Sequence, residues 1–205
     1  MESPLTQVDR SDMPTQFLSF LDKVQRCIDF EAKEAPKWIQ VYGPKGMMVV
    51  VPADDWLKHS SAADQGLEFV FGSLTLLAAN QNVKAIAYMF PAMFVELDEE
   101  DDEILEELHH NEEQLMEHIR NSNLHPEPAL FGVFETRDTF YQASARCDIP
   151  TEDSWNTAQL GDWKMRMATQ KDMAAYKPDG AMSTIFNRAS AFNDVLQRWM
   201  KGGEQ

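Results

Sequence analysis

The sequence predicts an α+β fold, a largely antiparallel sheet of about five strands with amphipathic helices packed against it and a helix towards each terminus. Three observations lead there. Apolar residues recur at helical spacing in separate segments, and β-branched and aromatic runs bracket turn residues. Helices and strands also alternate too irregularly for a doubly wound parallel sheet.

The elements follow in chain order. Between Met13 and Glu34, the residues Phe17, Phe20, Leu21, Val24 and Ile28 make one apolar stripe. Ser11 or Asp12 can cap this helix, Pro14 suits its first turn, and Pro36 ends it. Trp38–Tyr42 and Met47–Val51 are β-rich and enclose Gly43-Pro44-Lys45-Gly46, which predicts a hairpin closed by Pro52. Leu67–Asn80 reads as a mostly apolar helix. Lys84–Leu97 is nearly all apolar and predicts a strand covered on both faces, in which Pro91 requires a bulge, an edge position or a break.

From Glu99 to about Arg120, Ile104, Leu105, Leu108, Leu115, Met116 and Ile119 form a stripe on an otherwise anionic helix. Ala129–Thr136 and Thr139–Ile149 predict a second hairpin that turns at Arg137-Asp138. Asp148–Gly161 reads as a polar loop, Trp163–Met167 as an alternating strand and Thr169–Met182 as a second loop. Ser183 can cap a last helix running to Met200, with the stripe Ile185, Phe186, Ala189, Phe192, Leu196 and Trp199. Residues 1–12 and 201–205 are expected to fray.

A chain of 205 residues that is 43% hydrophobic suits one domain with a substantial core. No apolar run reaches the ~18 residues that cross a bilayer. The opening residues lack the basic and apolar regions of a secretory signal, and two cysteines, Cys27 and Cys147, are too few for a disulfide scaffold. These features predict a soluble cytoplasmic protein with reduced thiols. Size and composition suit a bacterial or phage protein.

The formal charge of −16 is unevenly spread. Residues 1–84 carry 11 acidic and 8 basic side chains, residues 85–128 carry 13 and 1, and residues 129–205 carry 10 and 9. The excess is therefore local. A local anionic field attracts basic proteins and repels phosphate backbones, which disfavours direct nucleic-acid binding.

No motif assigns a reaction. Glu106/His109 and Glu107/His110 have the Glu-x-x-His spacing of di-iron bundles, but His59, His118 and His125 have no Glu three residues earlier to complete the set. The run from Asp98 to Glu103 fails as an EF-hand, because the sixth position is Glu103 rather than Gly and the twelfth is His109 rather than Glu. Gly-x-Ser-x-Gly, a phosphate loop and a zinc ligand set are all absent from the sequence. No cofactor or metal is expected.

Three readings of function follow. The first is a non-enzymatic interaction or regulatory protein whose acidic face contacts a basic protein partner, possible nucleic-acid mimicry included. That face comprises Asp98, Glu99, Glu100, Asp101, Asp102, Glu103, Glu106, Glu107, Glu113 and Glu117. The second is a structural subunit, with homo-oligomer formation through the C-terminal helix. The third is a small-ligand binder or enzyme with a pocket between the sheet and the 148–161 and 169–182 loops, drawing on Asp153, Trp155, Asp162 and Lys171. A weak anion site is also expected on the strands at Arg146, Lys164 and Arg166, the last two sharing one face by strand alternation.

Overall fold

Strands form where the β-rich runs predict them, and they join into one mixed-length antiparallel sheet. The computed structural model describes residues 3–30, 38–52, 72–94, 127–148, 159–175 and 184–202. The strands are β1 (Thr6–Gln7), β2 (Trp38–Gly43), β3 (Gly46–Pro52), β4 (Ala85–Phe94), β5 (Glu127–Thr136), β6 (Thr139–Asp148), β7 (Gln159–Leu160) and β8 (Lys164–Thr169). The helices are α1 (Thr15–Phe30), α2 (72–79), α3 (Gln170–Ala175) and α4 (Ile185–Gly202), with a 3-10 turn at Arg10–Asp12. The sheet runs β1-β8-β6-β5-β4-β2-β3, with β7 on β6, and every pairing is antiparallel.

The α+β class holds, and the strand count is corrected from about five to eight among the described residues. The longer strands are those the sequence marks. The additions include β1 and β7, which span two residues each and are too short to show a period of two. Thr6–Gln7 pairs with Met167 and Arg166 of β8, so part of the segment expected to fray is a sheet edge. The 169–182 loop is also corrected in part, because α3 fills Gln170–Ala175. Its start is capped: Thr169 Oγ1 accepts from the Asp172 N–H at 3.0 Å and donates to the Asp172 carboxylate at 2.6 Å.

Two helix starts differ from expectation. The α1 ladder begins with Leu18 N–H donating to the Pro14 carbonyl at 3.0 Å. Asp12 instead reaches back to the Asp9 N–H at 3.2 Å and closes the 3-10 turn. The cap of α4 is Thr184, whose Oγ1 accepts from Asn187 N–H at 3.4 Å.

Alternation along the strands divides the core into two layers. Ala85, Ala87 and Met89 of β4, with Leu130 and Phe134 of β5, face α1. There Phe17, Phe20, Leu21 and Val24 are fully buried, and Phe17 stacks on Phe134 with ring centroids 5.6 Å apart. Helix α1 approaches over Gly132, where an added Cβ would lie 2.9 Å from Leu21 Cδ2 and 3.3 Å from Met89 Cε. Ile86 and Tyr88 of β4 and Val133 of β5 face the other way, onto Leu74 and Ala78 of α2 and Ile185, Phe186 and Ala189 of α4.

Pro91 is accommodated inside β4 opposite Leu130. Strand β2 pairs with β4 only from Ala85 to Tyr88, so Pro91 lies past the end of that ladder. Its missing N–H therefore interrupts no described bond on that side, the edge solution to a proline in a strand. At the first hairpin Gly46 has φ of 111°, a conformation that side chains disfavour.

Candidate functional site

The densest polar constellation among the described residues is buried between the sheet and the start of α4. Alternation that puts Val133 under α4 also puts Glu135 there, fully buried. A lone carboxylate in that position needs donors, because burying an uncompensated charge costs several kcal/mol. It has them. Tyr88 Oη donates to Glu135 Oε1 at 2.7 Å, and Phe186 N–H donates to Oε2 at 3.3 Å. The first turn of α4 contributes the Phe186 N–H because it has no partner within the helix, and the helix dipole favours a negative charge there.

Gln170 joins the cluster from α3. Its Nε2 donates to the Thr136 carbonyl at 2.9 Å, its backbone N–H donates to the Asp138 carbonyl at 2.9 Å, and its Oε1 accepts from Thr184 Oγ1. Asn187 Nδ2 donates to the Gln170 carbonyl at 3.0 Å. Burial raises the Glu135 carboxyl above the usual range, opposed by the bonds from Tyr88, the first turn of α4 and Gln170. Burial likewise pushes Tyr88 well up, and the Glu135 charge adds to that.

Arg137 finishes the assembly from the β5–β6 turn. Its Nη2 donates to the carbonyls of Ala78, Asn80 and Val83 at 3.0, 3.1 and 3.4 Å. Its guanidinium lies 5.3 Å from the centroid of the Phe186 ring. One side chain thus ends α2 at its carbonyls and covers the start of α4. Chemically the cluster holds helices on a sheet. Its acceptors are met by donors from within the chain, so it is built for cohesion between layers.

Sequence reasoning passed over Glu135, Tyr88, Gln170 and Thr184. A single Glu within the otherwise apolar run Phe131-Gly132-Val133-Phe134 and Thr136 is the signal that was present. Alternation alone assigns it to a covered face, but not to a partner.

The expected site residues fall into two groups. Asp98, Glu99, Glu100, Asp101, Asp102, Glu103, Glu106, Glu107, Glu113 and Glu117 lie outside the described residues, as do all five histidines. Asp153 and Trp155 of the expected pocket also lie outside them, while Asp162 and Lys171 are described and exposed.

Arg146, Lys164 and Arg166 come together on one face of the sheet. Lys164 stands opposite Ser144 and Arg166 opposite Gln142 across the β6–β8 ladder. Arg146 is two residues along β6 from Ser144 and pairs with Glu127 at 3.1 Å, an exposed contact of the kind worth ~0–1 kcal/mol. Cys147 points to the opposite, α1-side layer, where burial pushes its thiol up to about 11.

The outer half of α4 is a different surface. Its stripe is buried at Ile185, Phe186 and Ala189 but exposed at Phe192, Val195 and Leu196, where Asn193 Nδ2 reaches the Ala79 carbonyl at 3.4 Å. Leu76 and Leu77 of α2 are exposed as well. Among the described residues no helix is long and apolar enough to cross a membrane. No family model, no curated protein and no solved structure matches the chain.

Proposed function

We propose that the protein is a non-enzymatic interaction or regulatory protein that recognises a basic protein partner through its acidic segment, Asp98–Glu117. The observation that carries this reading is the charge distribution: residues 85–128 hold 13 acidic side chains against one basic. The two flanks are nearly neutral, so the acid is not a general solubilising coat. Such a face speeds encounter with cationic surfaces and weakens as salt screens it. Affinity capture at low and high salt, with the native chain and a variant in which Glu106, Glu107, Glu113 and Glu117 are Gln, tests it.

A second reading, a subunit of a homo-oligomer joined through the C-terminal helix, is favoured by one observation. The apolar stripe of α4 continues onto Phe192, Val195 and Leu196 after its contact with the sheet ends. Light scattering coupled to size exclusion, over a wide range of protein concentration, decides it.

A further inference from the structure

The face of the sheet shared by α2 and α4 has two halves. Near the β5–β6 turn it is covered, with Val133, Phe140 and the internally bonded Glu135 beneath the helices. Farther along, the same face carries Gln142, Ser144 and Arg146 of β6 and Lys164 and Arg166 of β8. Lys164 and Arg166 are exposed, and among the described residues neither has an ion pair. Phe131 of β5, half-buried, lies opposite Ser144 on its other side.

Ser144 is the centre of this arrangement. Directly opposed residues on antiparallel strands have Cα atoms ~5 Å apart, and diagonal neighbours lie within ~8 Å. Lys164 is opposite Ser144, Arg166 is diagonal to it, and Arg146 is its neighbour two residues along the strand. Long, flexible stems let cationic heads converge above the hydroxyl, and a guanidinium offers paired donors to a tetrahedral oxyanion. A cluster this small, gathered around one residue, suits a compact dianion better than an extended polyanion. The net charge of −16 further penalises a long phosphate chain.

We propose that this face binds a small phosphomonoester carrying an aromatic group, the mononucleotide class, with phosphate held by Lys164 and Arg166 over Ser144 and the ring against Phe131. Arg146 shares its charge between Glu127 and the ligand. The phosphate supplies most of the binding, and the aromatic contact adds to it.

The test uses the full chain with isotope-labelled backbone amides, titrated at low salt with adenosine monophosphate, inorganic phosphate and adenosine. The expected result is saturable shifts of the amides of residues 142–146 and 164–166 with adenosine monophosphate, at least fivefold weaker binding of phosphate, and no saturation with adenosine. Replacing Lys164 and Arg166 by Gln, both exposed, should weaken binding at least tenfold while the amide spectrum remains folded. No saturable shifts up to millimolar nucleotide, or binding indifferent to the double substitution, overturns the site. Equal affinity for phosphate and the nucleotide overturns the role of Phe131.

Discussion

The Tyr88 hydroxyl lies 2.7 Å from Glu135 Oε1, linking neighbouring strands inside the layer that holds α4. The bond crosses from β4 to β5, while the other carboxylate oxygen accepts from the first turn of the helix. Replacing Tyr88 with Phe leaves Oε1 short of a buried donor. The expected cost is about 1–3 kcal/mol, read as a lower urea midpoint with unchanged slope.

The same carboxyl gives stability a specific dependence on pH. Its folded pKa is raised relative to the unfolded chain, where a Glu titrates near ~4.3. Protons are therefore held more tightly in the folded state, so this contribution is complete below the unfolded pKa and is lost as pH rises through the folded one. Relative to Glu135→Gln, the native protein should lose stability across that interval. Parallel pH profiles for the two proteins would show that Glu135 does not titrate as its burial requires.

Helix α1 meets the sheet over Gly132, and that closeness has a measurable consequence. Gly132→Ala places a methyl 2.9 Å from Leu21 Cδ2, so Leu21 or the helix must shift. A loss of about 1–3 kcal/mol is expected, and combined with Leu21→Ala the two losses should sum to less than their separate values, because the added methyl then occupies part of the space the leucine leaves. Thermal unfolding of the two single variants and the double variant measures that coupling.

Arg137 joins α2, the hairpin turn and α4 through three carbonyls and one aromatic face. Its replacement by Ala should destabilise by about 1–2 kcal/mol, with Lys recovering only part because an ammonium lacks the planar fork. Amide exchange should accelerate first at the end of α2, around Ala78 to Val83. Uniform acceleration across the sheet would mean that the residue acts on the whole fold rather than on that junction.

The outer half of α4 offers a separate test. Phe192, Val195 and Leu196 are exposed, so changing all three to polar residues should leave the monomer's fold intact. If α4 joins subunits, the native chain is an oligomer that these changes dissociate. A native chain that stays monomeric at high concentration removes this reading.

Much of the fold was legible because period and punctuation are local. Phe17, Phe20, Leu21 and Val24 repeat at helical spacing, and Arg137-Asp138 separates two alternating runs; both patterns appear in the folded chain. Elements with no period were not legible. Thr6–Gln7 is a strand only because β8 lies beside it, and Thr169 and Asp172 form a cap that two polar residues in a polar stretch do not announce. The Glu135 cluster depends on residues 47 and 51 positions apart in sequence, which only the assembled sheet brings together. By contrast, Lys164 and Arg166 were assigned to one face by alternation alone, and the register added Ser144, Gln142 and Arg146 to that face.

The most direct measurement of the central claim is affinity capture with the native chain and the variant carrying Gln at 106, 107, 113 and 117, each at low and high salt. The account predicts a basic protein retained by the native chain at low salt, released as salt rises, and lost with the variant. A partner held equally by both baits, or one whose retention does not change with salt, would contradict recognition through the acidic segment.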